Sequence, residues 1–547
     1  MNWAYIGSLA AIGAINLLMA LSVYVPLSAG LLSVAPIGLM ALGAYALAIA
    51  MAAGVPTPLA FVLALAVGSA AGLVVGLLTV RLTGFSVAIT TLGIAEVIYT
   101  VINNASATGA SAGFSNISPI SSPIVLTACT LAALAGVVVL ESSIFGRQIR
   151  AVQLDEIAAR SVGISATMIR LFTMTASGLL AALAGVLYAG YLTYLDPQEF
   201  TLGTFNQYLM ADIVGGLSSV VGPIVGTLLF TALPEATRFL GGWRLFVFAI
   251  LVMIVLVIRP RGLLDFVPLP KVRFGRRKLG RRPPAMESAA LTFDGVTKRF
   301  GRVHVLNDVS FSVHPGTVHA LIGPNGAGKT TLLNVASGYV ASERGSVLLG
   351  KMRLNRRSPD FVARAGLVRT FQNPRLFPSM TVSENVDVAV RRYQPEQKAD
   401  EELWRRLQLE EHAATRASAL AYGQLRRTEI ARALRTGPSC LLLDEPTAGM
   451  DREETEALRA LLLDLKAAGL GILLVDHDMR FVMTIADRVT VLNAGRVIAD
   501  GSPSEVQRDP AVVEAYLGEP GTGERSTVDV EEGKVGRGGV GNVKIDA

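Results

Sequence analysis

The chain has 547 residues, of which 51% are hydrophobic, and it carries a formal net charge of +6. Its mean hydropathy of +0.48 excludes an ordinary soluble protein. The charge is unevenly distributed, because only 15 charged residues precede Arg259 and the first lysine is Lys271. We therefore predict a membrane-embedded first half followed by a soluble second half.

The positive charge and the cysteines exclude further classes of function. Basic residues crowd at 271–282, directly after the last apolar segment, where a positive stretch faces the cytoplasm and anionic lipid headgroups. We assign the net charge to the membrane surface and expect no nucleic acid partner. The two cysteines, Cys129 and Cys440, offer no disulfide framework or metal cluster, so we expect both to be packing residues.

Apolar segments of the first half predict an all-α polytopic membrane bundle. Eight segments are long enough, or nearly long enough, to cross a bilayer: 3–25, 29–53, 58–80, 84–102, 123–140, 170–190, 206–232 and 240–258. Arginines place the 141–169 loop and the turn at Arg81 in the cytoplasm. The loops 103–122 and 191–205 contain no Lys or Arg and are predicted to lie outside, together with the N-terminus.

The number of apolar segments conflicts with this predicted topology. The 141–169 loop and the tail after Arg259 must both be cytoplasmic, yet three apolar segments lie between them. The segment 206–232 is interrupted by glycines, serines and a proline, so we predict a broken or re-entrant helix there, with 212–226 as a candidate wall of the translocation path. Asp212 and Glu96 lie inside apolar segments, where a charge faces the bundle interior or, alternatively, lies near an interface or pairs structurally.

The cytoplasmic loop predicts a docking element. Residues 145–152 and 155–160 form an amphipathic pattern, and Gly163 breaks it before the next apolar segment. Such a helix can dock in a groove on a soluble partner, whereas the simpler alternative is a solvated charged loop.

This loop resembles the coupling loop of the permease subunits of branched-chain amino acid ABC importers. Those loops have a glycine-arginine start, a Glu-Ile-Ala-Ala core and a Gly-Ile end, found here at Gly146-Arg147, 156–159 and Gly163-Ile164. Other segments agree with that family: 81–85 leading into 88–92, 215–226, and 259–263. The resemblance covers most of 29–263. The 108–114 loop is a diverged version of the family's external glycine loop, and Asp212 stands where an apolar residue is expected.

Composition sets the predicted domain boundaries. A transmembrane permease domain spans 1–263, a basic proline-rich linker 264–286, an ATP-binding domain 287–519, and a disordered tail rich in glycine and charge 520–547. The fold class is multidomain, with the membrane bundle followed by an α/β P-loop ATPase domain.

A glycine-rich loop carries the strongest single signal of the second half. It lies between the apolar run 319–322, predicted as a buried strand, and a predicted helix opening at Thr331. Inward-facing amides and the helix dipole bind phosphates, the lysine reaches the outer phosphates, and the Thr330 hydroxyl suits Mg²⁺. The predicted nucleotide-binding residues are Gly323, Pro324, Asn325, Gly326, Ala327, Gly328, Lys329, Thr330 and Thr331.

Two further residues flank this nucleotide site in the sequence. Phe300 precedes the loop and is a candidate to stack on adenine, since an aromatic face accepts any base, although core packing is an equal alternative. Gln372, in Thr370-Phe371-Gln372, supplies a polar side chain that can reach Mg²⁺ or its water.

Acidic and histidine side chains end two later strands. Asp444 and Glu445 follow the apolar run 441–443, so Asp444 can hold Mg²⁺ through water and Glu445 can polarise a hydrolytic water. His477 follows the apolar run 473–475 after Asp476, at the strand edge where ligands gather in α/β domains. We predict Glu445, His477 and Gln372 as catalytic residues and Thr330, Gln372 and Asp444 as metal residues.

The second half resembles the full motif set of an ABC transporter ATPase. The resemblance covers about 290–519 and is closest to the ATPases of the same importers, which carry tyrosine in the signature, a Met-containing turn after the acidic strand, and a Glu-Ala-Tyr-Leu-Gly end, here at 514–518. It assigns the signature to Leu420–Gln424, with Ala421, Tyr422, Gly423 and Gln424 contacting nucleotide, and it adds Asp451 and the switch role of His477. In the family, the signature closes the ATP held by the opposite ATPase domain. Ala421 stands where serine is usual, so we expect a weakened second ATP site.

The resemblance implies a fused permease and ATPase, half of an importer that uses ATP and Mg²⁺. It implies three partners: a second permease, a second ATPase and an extracytoplasmic solute-binding protein. It also implies that this chain lies in the inner membrane with its ATPase domain in the cytoplasm. Branched-chain amino acids are the expected cargo, and urea, short amides or other small polar solutes are the alternative. An ABC exporter or a non-transporting ATP-binding regulator are rivals, which the single short cytoplasmic loop and the intact Lys329, Glu445 and His477 oppose.

Overall fold

The computed structural model describes residues 3–115, 117–120, 122–260, 262–264, 289–389 and 404–517. The predicted linker beyond Leu264 and the predicted tail 520–547 lie outside these residues. The two cysteines behave as predicted, because Cys440 is buried in a strand and Cys129 is partly buried in a membrane helix. Burial raises the pKa of the Cys440 thiol to about 12.

Helices make up the described part of the first half. They are α1 (Trp3–Leu27), α2 (Ala35–Ala52), α3 (Thr57–Thr79), α4 (Phe85–Asn104), α5 (Pro123–Ser142), α6 (Ile144–Leu154), α7 (Glu156–Ser161), α8 (Ala166–Leu192), α9 (Leu202–Gly215), α10 (Val221–Ala236) and α11 (Arg244–Ile258). Six of them, α1 to α5 and α8, are long and apolar enough to cross a membrane. Short 3₁₀ turns lie at Ser106–Thr108, Ala110–Ala112, Pro197–Phe200 and Arg238–Trp243.

Helix α8 packs at the centre of the bundle through small residues. A Cβ added at Gly178 would lie 2.3 Å from the Gly68 carbonyl oxygen of α3, and one added at Gly185 would lie 2.1 Å from that of Met40 in α2. Glycine therefore lets these backbones touch, which is how helices associate in lipid without a hydrophobic driving force between them.

Loop contacts support the predicted sides of the membrane. Phe114 and Leu195, from the two loops without Lys or Arg, exchange backbone hydrogen bonds of 2.9 Å. At the opposite end, Arg170 of α8 donates to the carbonyl oxygens of Val80 (2.9 Å) and Leu82 (3.2 Å), in the turn that contains Arg81. The same guanidinium pairs at 2.7 Å with Glu156 of the cytoplasmic loop. The loops predicted to share a side therefore meet.

The predicted break in 206–232 is confirmed. Helix α9 ends at Gly215 and α10 begins at Val221, with a turn between them. The Leu263 amide donates to the Val214 carbonyl oxygen at 2.8 Å, so this turn lies at the end where the chain leaves the membrane half. Because α9 and α10 form a hairpin, four helices separate the cytoplasmic loop from Arg259. An even number of crossings places both the 141–169 loop and the chain after Arg259 on the cytoplasmic side, as their charges predict.

The second half contains ten described strands and eight helices named here. The strands are β1 (Leu291–Phe300), β2 (Val303–Val313), β3 (Val318–Ile322), β4 (Arg344–Leu349), β5 (Met352–Arg353), β6 (Leu367–Arg369), β7 (Cys440–Asp444), β8 (Gly471–Val475), β9 (Arg488–Asn493) and β10 (Arg496–Gly501). The helices are α12 (Lys329–Ala336), α13 (Pro359–Ala365), α14 (Val382–Asp387), α15 (Tyr422–Arg435), α16 (Arg452–Ala467), α17 (Met479–Ile485), α18 (Pro503–Val506) and α19 (Pro510–Leu517).

The strands form two sheets. An antiparallel sheet has the order β2-β1-β4-β5, and a six-stranded sheet has the order β10-β9-β3-β8-β7-β6, parallel except at β10. Strands β3, β7 and β8 are buried along their whole length. This matches their continuous apolar sequences, because parallel strands are covered on both faces. Their carboxyl ends lie at one edge of the sheet, where the predicted site residues follow them.

The cytoplasmic loop docks on the ATPase half of the same chain. The Tyr339 hydroxyl donates to the Ile157 carbonyl oxygen at 2.8 Å, and the Arg364 guanidinium donates to that of Gly163 at 3.1 Å. The predicted docking is confirmed, with the chain's own ATPase half as the soluble partner.

Candidate functional site

The glycine-rich loop connects β3 to α12 as predicted. A Cβ at Gly323 would lie 2.0 Å from the Leu492 carbonyl oxygen, so only glycine fits beside β9. Gly326 has a φ of 81°, and no heavy atom lies within 4 Å of a Cβ built there. The backbone therefore turns in a conformation that glycine adopts without strain, and the surface of the loop is open at Gly326.

Lys329 begins α12 and lies inside the loop. Its Nζ donates to the carbonyl oxygens of Gly323 (2.6 Å) and Pro324 (3.0 Å). Burial lowers the pKa of Lys329, and the nearby carboxylates of Glu445 and Asp444 oppose this. An ammonium ringed by backbone groups at a helix N-terminus fits a phosphate chain. Of the remaining loop residues, Asn325 and Thr330 are exposed, Thr331 is partly buried and Ala327 is buried.

Asp444 ends β7 and is paired with an arginine that sequence analysis missed. Arg369, the last residue of β6, donates to Asp444 Oδ2 at 2.8 Å, and both side chains are nearly fully buried. Arg369 also donates to Asn334 Oδ1 in α12 at 2.5 Å. The arginine therefore fixes the carboxylate relative to the helix that follows the phosphate loop. In the sequence, an arginine three residues before Gln372 does not by its type indicate this role.

The three predicted catalytic side chains meet at Glu445. The Gln372 amide donates to Glu445 Oε2 at 2.7 Å, and His477 Nδ1 lies 3.6 Å from the same oxygen. Glu445 has a φ of 45°, which is strained for a residue with a side chain and persists only where its surroundings enforce it. His477 is open to solvent, with 72% of its side chain exposed.

Asp476 positions the histidine backbone. Its Oδ1 accepts from the amides of His477 (2.8 Å) and Asp478 (3.0 Å), and its Oδ2 accepts from the Thr447 hydroxyl at 2.7 Å. Because Thr447 follows Glu445 by two residues, one carboxylate ties the ends of β7 and β8 together. This role of Asp476 was not predicted from the sequence.

The signature segment leads into α15, which begins at Tyr422. Ala421 is the N-cap and has no side-chain oxygen, so only the Gln424 side chain, which accepts from the Ala421 amide at 3.0 Å, caps this end. A Cβ at Gly423 would lie 1.7 Å from Glu454 Oε1. The Tyr422 hydroxyl contacts the Gln372 carbonyl oxygen at 3.5 Å. Within the described ranges, no hydrogen bond joins the signature to the phosphate loop.

A buried arginine in α15 holds the segment that contains Gln372. Arg426 is fully buried and donates to the carbonyl oxygens of Phe371 (2.5 Å), Gln372 (2.5 Å) and Glu445 (3.1 Å). It also pairs with Glu429 at 3.0 Å. Burial raises the pKa of Glu429, which Arg426 counteracts. Neither residue was predicted from the sequence, because the burial that pairs them is not evident from residue type.

The structure excludes one of the two alternatives for Phe300. The side chain is 50% exposed at the end of β1, and the Lys298 ammonium lies 5.0 Å from the ring centroid. Phe300 is therefore not a core residue, and its ring is available at the surface.

Family matches cover both halves of the chain. Residues 5–258 match the family described as "Branched-chain amino acid transport system / permease component". Residues 306–448 match "ABC transporter", and residues 496–522 match "Branched-chain amino acid ATP-binding cassette transporter". LivG of Escherichia coli K12, a high-affinity branched-chain amino acid transport ATP-binding protein, is 41% identical over 254 residues, covering 43% of this chain and 100% of LivG. The chain belongs to the branched-chain amino acid ABC transporter family.

The ATPase half is also similar to cassettes with other named roles. The lipopolysaccharide export system ATP-binding protein LptB of Acidithiobacillus ferridurans is 38% identical over 237 residues, covering 42% of this chain and 98% of LptB. A crystal structure of a nucleotide-free ATP-binding cassette from an ABC transporter is 30% identical and covers 42% of this chain and 100% of that one, with a TM-score of 0.38.

Family membership and fold establish the coarse activity. The protein is a permease fused to an ABC ATPase that binds nucleotide and couples ATP hydrolysis to transport. Its apolar helices make it a multi-pass protein of the inner membrane with a cytoplasmic ATPase domain.

Proposed function

We propose that this subunit imports branched-chain amino acids across the inner membrane. The observation that carries the proposal is the presence, in one chain, of the family's permease region and of an ATPase closely similar to LivG over its whole length. The similarity to LptB concerns the ATPase half alone, so it does not favour export. The domain boundaries 1–263, 264–286, 287–519 and 520–547 are part of this proposal.

The phosphate loop and its neighbours are proposed to hold ATP and Mg²⁺. The inward ammonium of Lys329 and the open surface at Gly326 fit a phosphate chain, and Phe300 presents a half-exposed ring to the base. Thr330, Gln372 and Asp444 are the proposed metal residues. Among the described residues, Arg369 engages only Oδ2 of Asp444, so Oδ1 remains for a metal-bound water. A bound metal would neutralise charge that develops on the phosphates.

Glu445 is proposed to polarise the hydrolytic water. Gln372 hydrogen bonds to its carboxylate and holds it in place, while the exposed His477 lies close enough to share that oxygen after a small movement. Asp476 fixes the backbone from which His477 extends. The hydrogen bond between Gln372 and Glu445 also joins the catalytic carboxylate to the segment that contacts the membrane half.

The signature residues Ala421, Tyr422, Gly423 and Gln424 are proposed to serve the ATP of another chain. Their hydrogen bonds run to Gln372 and His412 rather than to the phosphate loop of the same chain. A second ATPase is the proposed partner that holds this ATP. Membership of the importer family supports a second permease and an extracytoplasmic solute-binding protein as further partners. Lipid contacts the membrane half, and no nucleic acid is involved.

A second candidate cargo is urea, a short amide or another small polar solute. The observation that favours it is Asp212, which lies fully buried in the α9–α10 hairpin with no hydrogen-bond partner for either carboxylate oxygen among the described residues. The alternative that Asp212 pairs with another residue is therefore not observed among the described residues. Glu96, in contrast, is exposed on α4. A polar group at this depth is unusual and marks a functional site in many membrane proteins.

Reconstitution separates the two cargoes. The assembled transporter in liposomes is mixed with its binding protein loaded with leucine, urea or a short amide, and ATP hydrolysis is measured. We expect stimulation by the leucine-loaded protein. Stimulation only by urea or an amide would overturn the proposed cargo while leaving the transport function in place.

A further inference from the structure

One carboxylate joins four elements at the cytoplasmic end of the membrane half. Glu141, in the last turn of α5, accepts through Oε1 from Arg150 of α6 at 3.1 Å. Its Oε2 accepts from the Val220 amide, beside the start of α10, at 2.9 Å and lies 3.4 Å from the Tyr24 hydroxyl of α1. The side chain is only 11% exposed. Charge-assisted hydrogen bonds of this kind are among the strongest in proteins.

Helix α6 is attached to the ATPase half. Gln148 donates to the Val388 carbonyl oxygen at 3.4 Å, and Asp155, which follows the helix, pairs with Arg375 at 2.9 Å. Arg375 in turn donates its amide to Glu429, the partner of Arg426. A shift of the ATPase segment around Gln372 therefore moves α6.

The α9–α10 hairpin is built to move as one body. A Cβ at Gly222 would lie 1.8 Å from the Gly216 carbonyl oxygen, and one at Gly226 would lie 1.8 Å from that of Ala211. The two helices are thus in backbone contact, without intervening side chains that could absorb a displacement. Movement of Val220 carries the hairpin with it, including the buried Asp212.

A cavity leaves room for this movement. A space of about 620 Å³ lies between the two halves beside Glu141 and Arg150. Leu217 and Ser218 of the hairpin turn line it on one side, and residues of the ATPase half, including Ser379, line the other. The turn can therefore shift relative to the ATPase half without a steric clash.

We propose that Glu141 is a positioning residue that transmits movement of α6 to the α9–α10 hairpin. This inference rests on the proposed transport function, but not on the identity of the cargo. The Arg150–Glu141 ion pair is the link to the ATPase side, and the bond to the Val220 amide is the link to the hairpin. Glu141 takes no part in ATP chemistry.

Glu141→Gln tests the link, since glutamine keeps the shape and an acceptor for Val220 but loses the charge. In the assembled transporter in liposomes, basal ATP hydrolysis stays within about twofold of wild type, while uptake per ATP falls at least about tenfold, the effect of losing one charge-assisted bond. Arg150→Gln gives the same loss, and the double variant adds little because both residues serve one path. Arg150→Lys retains the charge, so we expect it to keep most of the wild-type uptake per ATP.

A distance measurement provides a readout that needs no cargo. Spin labels at Leu228 of the hairpin and Val62 of α3, both exposed, report the movement of the hairpin relative to the rest of the bundle in the assembled, full-length protein. Wild type changes this distance between nucleotide-free and ATP–vanadate states, and Glu141→Gln abolishes the change. A wild-type change retained in Glu141→Gln, or no change in wild type, overturns the proposal. The proposal is also overturned if Glu141→Gln loses basal hydrolysis and uptake in parallel and has a lowered melting temperature. If wild type fails to take up leucine but shows the distance change, the result counts only against the proposed cargo.

Discussion

The side-chain amide of Gln372 lies 2.7 Å from the Glu445 carboxylate, and the carbonyl of the same glutamine is held by the buried Arg426. One residue therefore contacts the Glu445 carboxylate through its side chain and α15 through its backbone. Because Arg375, three residues later, pairs with Asp155 of the cytoplasmic loop, this short segment connects the proposed ATP site to the membrane half.

Glu445→Gln is expected to separate ATP binding from hydrolysis. The substitution removes the carboxylate that we propose to polarise water, so we expect hydrolysis to fall by a factor of about 10²–10⁴, the usual contribution of a positioned general base. ATP binding, measured with a fluorescent analogue, stays close to wild type because Lys329 and the loop are intact. Uptake is abolished. Uptake at the wild-type rate would exclude Glu445 from the coupled reaction.

Arg426→Met is expected to destabilise the ATPase half by about 3–5 kcal/mol, because it leaves Glu429 as a buried, unpaired carboxylate. The carbonyl oxygens of Phe371 and Gln372 also lose a donor. Thermal unfolding of the purified full-length protein measures the loss. Arg426→Met combined with Glu429→Gln is the matched control and recovers part of it. A double variant less stable than the single one would show that the ion pair is not the main contribution of Arg426.

Ala421→Ser is expected to raise ATP turnover of the assembled transporter. The added hydroxyl supplies a hydrogen bond to a charged group, which is worth about 1.5–3 kcal/mol. Serine also caps α15, so Ala421→Gly serves as the control, since glycine is nearly as good a cap but has no hydroxyl. We expect turnover to rise with serine alone. Equal turnover in all three proteins would show that the site closed by this signature is not weakened by alanine.

His319 is expected to make stability depend on pH. It lies buried in β3, where burial lowers its pKa to about 4 and its Nε2 is 2.7 Å from the Thr490 hydroxyl. Between pH 6.5 and 4 the unfolded chain binds the proton and the folded chain does not, so the free energy of unfolding falls by about 3 kcal/mol as the pH drops through this window. His319→Gln cannot titrate and is expected to show a smaller decrease in melting temperature from pH 7 to pH 5. An identical decrease would assign the effect to other groups.

Many features of the fold were predictable because their signals are local. Apolar length marked the membrane helices, and the glycines of 215–222 marked the break between α9 and α10. Continuous apolar runs marked β3, β7 and β8 as buried strands. Residue type marked Lys329 at the end of the glycine-rich loop, and Asp444 and Glu445 at the end of β7. Their roles in ATP hydrolysis remain predictions.

Other features depended on neighbours that are distant in the sequence. Phe300 had two equal alternatives until its half-exposed ring was seen, since one aromatic residue at a strand end fits a core or a surface equally well. Arg369 and Arg426 were ordinary basic residues until burial against Asp444 and Glu429 gave them partners. The cytoplasmic loop was recognised as a docking element without its partner being known.

The sequence by itself determined the two halves of this protein, the chemistry of its nucleotide loop and the elements that follow it, because spacing and hydrophobicity act over a few residues. Only the tertiary structure decided which charges meet. The contacts of Glu141 with Tyr24, Arg150 and Val220 bring together residues up to 117 positions apart. Such contacts depend on how helices and sheets pack, and no local pattern encodes that packing.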